Sequence, residues 1–297
     1  MRSRVVASLS VLSVLVTTSL WVVLTAQPAP ASFPGPNGSI FFTSNRDGGD
    51  VEIYRMGPTG ASQTRLTASA GYDFGPRADP EGAKIVFVSA RDGDNEIFTM
   101  SASGGVATQV THNTVNDEAP AWSPSISRIV FSRDGEIYSM FWDGSDVKRV
   151  TRFKGFDSAP VWSPTSNRIA FYHYAGKASG IYTIKPSGKG LTRVTSNRAG
   201  DFDPDWAPDG SRIAFARVEG SANLIYTVKP SGKGLKRVSP AGVLDYDPAW
   251  SNDGTKIAFG NDTGSGYQIF TMNVDGSNRT QLTFAGTQNL EPDWMHA

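Results

Sequence analysis

The chain of 297 residues contains no cysteine. Disulfides, thiolate metal sites, cysteine nucleophiles and lipid attachment through a thiol are therefore excluded. Histidine is nearly absent too. His112, His173 and His296 are the whole supply, and no pair has metal-ligand spacing such as H-E-x-x-H. No G-x-S-x-G elbow or P-loop occurs. Charge of one sign is missing as well: 28 basic residues balance 28 acidic ones. A neutral chain has no global pull towards nucleic acid, and no nucleic-acid partner is expected. After residue 31 no segment shows helical periodicity. Proline (18) and glycine (31) are plentiful, but a content of 39% apolar and 11% aromatic residues supports a packed core rather than disorder.

The first 31 residues stand apart. Arg2 and Arg4 precede an uncharged apolar run, Val5 to Ala26, and Ala29-Pro30-Ala31 offers the small residues that a signal peptidase reads. Residues 1–31 are read as a secretory signal peptide. The alternative is an uncleaved N-terminal anchor, since about 20 apolar residues can span a bilayer. Either reading places the rest outside the cytoplasm: secreted, periplasmic, or membrane-anchored at the cell surface. A membrane role is expected only through this segment if it is retained. Without Arg2 and Arg4 the remainder carries 26 basic and 28 acidic residues, a net charge of −2.

Beyond a short linker, residues 32–38, one phrase recurs. D-x-x-P-x-W ends at Trp122, Trp162, Trp206, Trp250 and Trp294, with Ala78 in the tryptophan position of "DFGPRA". The steps are 44, 40, 44, 44 and 44 residues. Three apolar runs follow each phrase, for example "RIAF" from Arg212, "LIYTV" from Leu224 and "LKRVS" from Leu235. All are short, rich in β-branched and aromatic residues, and bounded by Gly, Pro, Asp or Ser, which is strand chemistry. Each unit thus has strands a, b, c and d. Runs b and c are almost continuously apolar, as expected of strands covered on both faces. Run d alternates: in "LTRVT", Leu191, Arg193 and Thr195 should point one way, Thr192 and Val194 the other. Six four-stranded antiparallel units predict a single all-β domain over residues 39–297, a six-bladed β-propeller. The first unit lacks strand a and the last phrase lacks b, c and d. The C-terminal strand is therefore expected to join the first blade and close the ring, leaving no open edge. A monomer is expected.

Two faces follow from the meander. The d–a connectors and b–c hairpins lie on one face, the a–b and c–d turns on the other. Only the b–c hairpins vary in length, and the shortest holds Asp134-Gly135, suited to a type I′ turn. The same face carries Asp73, Asp117, Asp157, Asp201 and Asp245, with Asn289 in the last repeat. These should ring the mouth of the central channel. They either fix the turn into strand a by accepting backbone N–H bonds, or present an acidic field to a cation or a basic peptide. Tyr72 and Phe74 in a connector, and Tyr172, His173 and Tyr174 in a hairpin, are candidate contacts, since aromatics on variable loops are common in interfaces. The tryptophans read as core packing. The opposite face carries "KPSGKG" twice. From Ala170 to Pro240 there are 11 basic and 5 acidic residues. This reads as a solvated face, with an acidic partner or anionic glycan as the alternative. Trp142 in "FWDG" stands out there as a turn tryptophan.

The units D-x-x-P-x-W-S-P and I-Y-T-M followed by D-G-S resemble the TolB-type propeller repeat over roughly Ser39 to Trp294. The resemblance implies the propeller fold and a mouth that receives a protein partner. The family's namesake carries a further N-terminal α/β domain. The reading here places none between the signal and the first blade. The function expected is a non-catalytic secreted or envelope scaffold that binds a protein or peptide partner in the cell envelope, with a glycan as a further partner. It would bind through the face of the aspartate ring and variable hairpins. The alternative is a propeller-type polysaccharide lyase or hydrolase. No cofactor is expected, although the acidic mouth leaves room for a cation.

Overall fold

The computed structural model describes residues 35–296. The leader read at residues 1–31 lies outside the described residues. The ring has six four-stranded antiparallel sheets. Blade 1 pairs the last strand, Asn289–His296, with Asn37–Ser44, Glu52–Met56 and Thr64–Arg65. Ile40 lies opposite Trp294 and Ser44 opposite Asn289, so the C-terminal strand closes the ring as expected. The first strand begins at Asn37, two residues inside the stretch read as linker. Gly38 permits this closure: a Cβ there would lie 2.5 Å from the carbonyl oxygen of His296.

Strands b and c carry the core. The strand-b phenylalanines Phe42, Phe87, Phe131, Phe171, Phe215 and Phe259 are all 0% exposed, each contributing about 2–3 kcal/mol of burial. Packing runs between blades rather than within them. Trp206 and Phe215 of the fifth blade share a cluster with Ala170, Ile181 and Val194 of the fourth. Blade 2 has Ala78 where a tryptophan is due, and Met295 of blade 1 packs beside it. The Asp134-Gly135 turn has φ of 51° and 70°, the two positive values that a type I′ turn requires. Among the described residues helix is limited to one 3₁₀ turn, Gly176–Ala178, in the fourth b–c hairpin. No helix among the described residues is long and apolar enough to cross a membrane.

Strand d departs from the sequence reading. Its paired portion is two residues in every blade, for instance Thr192–Arg193. Leu191, Thr192 and Arg193 are all exposed, while Val194 and Thr195 are both buried. The alternation stops because the Thr195 hydroxyl is needed inside, where it accepts the N–H of Ile181 at 2.8 Å. The same bond joins Ile53 to Thr67, Ile97 to Thr111, Ile137 to Thr151, Ile225 to Ser239 and Ile269 to Thr283. A hydroxyl at this position thus satisfies a buried backbone donor that the short strand d leaves unpaired.

Candidate functional site

The repeated aspartate lies at the start of strand a, as its first residue or, for Asp157, its second, and opposite a fixed residue of strand b. Asp117 faces Arg133, Asp157 faces His173 and Asp201 faces Arg217. The side chains bond in that register. Arg133 donates to Asp117 through Nε and Nη2, both at 2.6 Å, and Arg217 holds Asp201 at 2.7 and 2.8 Å. Asp73 and Asp245 face Ser89 and Asn261, and their arginines come from further along the chain. Arg91 reaches Asp73 at 3.0 Å and Arg279 reaches Asp245 at 2.5 Å. Asn289 receives Arg46 at 2.9 Å. Each guanidinium also lies over aromatic rings of its own blade, as Arg217 does over Tyr226 at 5.0 Å and Arg279 over Phe259 at 4.4 Å.

All five aspartates are 0% exposed. They do not form an open acidic ring at the channel mouth. Their carboxylates are held by guanidinium groups, and by the His173 imidazole in blade 4, rather than by the backbone N–H groups expected from sequence. A buried carboxylate needs a charged or hydrogen-bonding partner of this kind, and the bidentate arginine supplies it. The clamp fixes the entry into strand a.

The acidity of the channel comes from other residues. In every blade the residue two places after the repeated Asp or Asn takes a left-handed conformation: Gly75, Ala119, Ala159, Asp203, Asp247 and Glu291 have φ between 48° and 62°. A register shift brackets it in each a–b pairing. The next residue is always proline, which has no N–H to lose from the ladder. Three of these six positions are acidic and three are Gly or Ala. Two residues on, the ring reads Arg77, Ala121, Val161, Asp205, Ala249 and Asp293. Five carboxylates therefore face one guanidinium.

These groups are tied into the wall. Arg77 Nη1 donates to Asp293 at 3.0 Å, and the Ala78 N–H donates to the same carboxylate at 2.7 Å. The Trp250 N–H donates to Asp205 at 2.7 Å. Glu291 accepts from the Thr43 hydroxyl at 2.7 Å and the Gly75 N–H at 2.8 Å. Burial pushes the Asp205 carboxyl up to about 7. Burial, then the neighbouring Asp203, pushes Asp247 up to about 8. Burial also raises Asp203, Glu291 and Asp293. A cavity of about 80 Å³ lies among Gly75, Arg77, Asp203, Asp247 and Glu291. Among the described residues no group of three or more His, Asp or Glu side chains is placed to hold a metal ion.

Further along the axis, on the side of the a–b turns, a second cavity of about 130 Å³ is walled by the five tryptophans and by Pro80, Pro124, Pro164 and Pro208. The indoles are 5–9% exposed, consistent with core packing.

The outer surface of the hairpin face is aromatic. Tyr72, Phe156 and Tyr174 are about half exposed, and Phe284 is 77% exposed. Tyr172 packs against Phe202 with ring centroids 4.6 Å apart, and Tyr246 meets Tyr267 edge-on at 5.7 Å. Phe74 is half-buried against the cluster shared by blades 2 and 3. His173 turns inward: it is 5% exposed and is flanked by Phe153 and Tyr182. Of the sequence candidates, Tyr72 and Tyr174 are presented at the surface, Tyr172 is half-buried against the cluster shared by blades 4 and 5, and His173 and the five aspartates belong to the clamp. The channel acids and Phe284 were not singled out from sequence.

Tandem D-x-x-P-x-W blades closed by the C-terminal strand define a six-bladed propeller of a recognised type. The family model for the TolB beta propeller domain (PD40) matches residues 22–142 and 136–297, and the chain belongs to that family. A curated relative, "Protein TolB homolog" of Chlorobium chlorochromatii (strain CaD3), is 49% identical over 43 residues. That alignment covers 14% of this chain and only 10% of the relative's own length. Crystalline TolB from Acinetobacter baumannii superposes with a TM-score of 0.78 at 22% identity, covering 92% of this chain and 69% of that one. An oligogalacturonate lyase in complex with manganese is more distant, with a TM-score of 0.57 and 15% identity over 82% of this chain and 73% of that one. At these identities the two structures establish the fold alone.

Proposed function

We propose that this propeller is a non-catalytic, extracytoplasmic scaffold that binds a protein or peptide partner through the face of the b–c hairpins and d–a connectors. One observation carries the reading: Tyr72, Phe156, Tyr174 and Phe284 stand exposed on that face. Exposed aromatic anchors are the residues that dominate protein interfaces. A basic segment of the partner would draw the buried channel carboxyls beneath them back towards their charged form. The family membership supports the scaffold role, and the resemblance to TolB supports placement in the cell envelope. The lyase alternative gains nothing from the geometry. His173 is committed to Asp157, and His112 and His296 lie in different blades.

The test is site-specific photo-cross-linking in the native envelope, with the reactive group placed in turn at Tyr72, Phe156, Tyr174 and, on the opposite face, Leu191. The expected result is one common adduct from the first three positions and none from Leu191. Adducts of equal yield from both faces, or none from the aromatic positions, would overturn the proposal.

A further inference from the structure

The face opposite the aromatic one carries two nearly identical loops on adjacent blades. Lys185–Gly190 joins strands c and d of blade 4, and Lys229–Gly234 does so in blade 5. Their backbones are locked alike. The N–H of Lys185 donates to the Lys189 carbonyl at 3.0 Å, and that of Lys229 to the Lys233 carbonyl at 3.0 Å. Arg168 and Arg212 each donate to the loop's last carbonyl, at 2.7 Å to Gly190 and 2.6 Å to Gly234. Gly188 and Gly232 have φ of 76° and 78°, and each sits tightly on the neighbouring blade. A Cβ at either would lie 2.8 Å from a carbonyl oxygen, of Val150 and Val194 respectively.

What these rigid loops present is consistent. Lys185, Lys189, Lys229 and Lys233 are all exposed, and none forms an ion pair among the described residues. Immediately after each loop a leucine stands out: Leu191 is 43% exposed and Leu235 is 46% exposed. A face that merely stays hydrated has no use for a large apolar side chain at the same place beside each lysine pair. Unpaired lysines flanking exposed leucines match a surface with fixed negative charge outside and hydrocarbon beneath.

The chain also enters the ring on this face. The Gly35 N–H donates to the Asn252 carbonyl at 3.0 Å, and the Asn37 side chain accepts from the Asp253 N–H at 3.1 Å, both in the a–b turn of blade 6. The sequence preceding Gly35 holds the apolar run Val5 to Ala26. If that run is retained in a bilayer, the tether meets the propeller on the side of the lysine loops. If it is removed, the loops act alone.

We infer that the a–b and c–d turn face is a membrane-apposed surface, with the two Lys-Pro-Ser-Gly-Lys-Gly-Leu loops docking on an anionic lipid bilayer. The lysines engage the headgroups and Leu191 and Leu235 enter the interface. The aromatic face then points away from the bilayer, towards its partner.

The test is vesicle flotation of the chain from Ser32 to Ala297, which holds all the described strands, Asn37 to His296. Two vesicle types are used: pure phosphatidylcholine, and phosphatidylcholine mixed with phosphatidylglycerol in roughly equal parts. Variants K185E/K229E and K154E/K177E change the net charge equally, the second pair on the aromatic face. A third variant is L191S/L235S. Each variant is used only if its melting temperature matches wild type. The expected result is binding to the anionic vesicles alone, at about 100 mM salt. K185E/K229E should weaken binding about tenfold or more, L191S/L235S about threefold, and K154E/K177E less than about twofold. No binding to anionic vesicles would overturn the inference, as would equal losses in the two lysine variants. Wild-type binding by L191S/L235S would also overturn it, and would point to a soluble polyanion such as an acidic glycan.

Discussion

His173 Nδ1 lies 2.6 Å from Asp157 Oδ1, in the place where the flanking blades put Arg133 beside Asp117 and Arg217 beside Asp201. One position of a repeated clamp has exchanged a guanidinium for an imidazole. Replacing an aspartate by asparagine should therefore cost unequal amounts around the ring. Asp201→Asn leaves the Arg217 charge uncompensated and should cost about 3 kcal/mol. Asp157→Asn keeps a neutral hydrogen bond to His173 and should cost about 1 kcal/mol. Urea denaturation of the two variants at the same pH checks this. Equal losses would mean that the imidazole acts as a full charge partner.

The channel carboxyls make stability depend on pH. Asp205 and Asp247 titrate near 7 and 8 in the fold, above the ordinary carboxyl value of about 3.9 in an unfolded chain. Protons therefore bind the folded state more tightly. The stabilisation from these protons is complete below about pH 4 and is lost as the pH rises through 7 and 8. D205N/D247N should melt like wild type near pH 4. Near pH 8.5 it should be clearly the more stable of the two. Thermal melts across this range measure it, and a variant less stable than wild type at high pH would contradict the assignment.

Ring closure rests on the last strand. Removing residues 289–297 takes away strand a of blade 1 and with it Trp294, which packs with Ile40, Phe42 and Tyr54. The truncated chain should lose its cooperative melt and be cut rapidly by protease. A milder test is Gly38→Val, which forces a side chain against the His296 carbonyl. It should cost about 2 kcal/mol, read from the shift in denaturant midpoint.

The hydroxyl after each strand d should matter more than its burial alone suggests. Thr151→Val is nearly isosteric, yet it strips the Ile137 N–H of its acceptor at 2.8 Å and the Glu136 carboxylate of its donor at 2.7 Å. A loss of about 1–3 kcal/mol is expected, measured by chemical denaturation. An unchanged midpoint would show that water replaces both bonds.

The architecture was legible because its signals are local. Tryptophan spacing, β-branched runs and the unmatched end strands sufficed for six blades and their closure. The repeated aspartates were visible in the sequence, but their burial and their arginine partners were not. In three blades the partner lies 16 residues on, across the a–b ladder, as Asp117 does with Arg133. In blade 2 the arginine is 18 residues away and in blade 6 it is 34, so no single spacing marks the clamp. The channel acids were missed for a different reason. They occupy the variable positions of D-x-x-P-x-W, where strand alternation gives no cue, and only the bulge turns them to the axis. One signal was available: the residue before proline is Gly75, Ala119 and Ala159 in three successive blades and Asp203, Asp247 and Glu291 in the next three.

That division has a consequence for anything entering along the axis. Six equal repeats would offer a ligand six equivalent rotational settings. With the acids confined to one semicircle, and Arg77 and small or apolar side chains on the other, the axial cavity has a single azimuth. A small ligand held in the cavity of about 80 Å³ would meet acids on one side and Arg77 on the other, so its rotational settings are not equivalent.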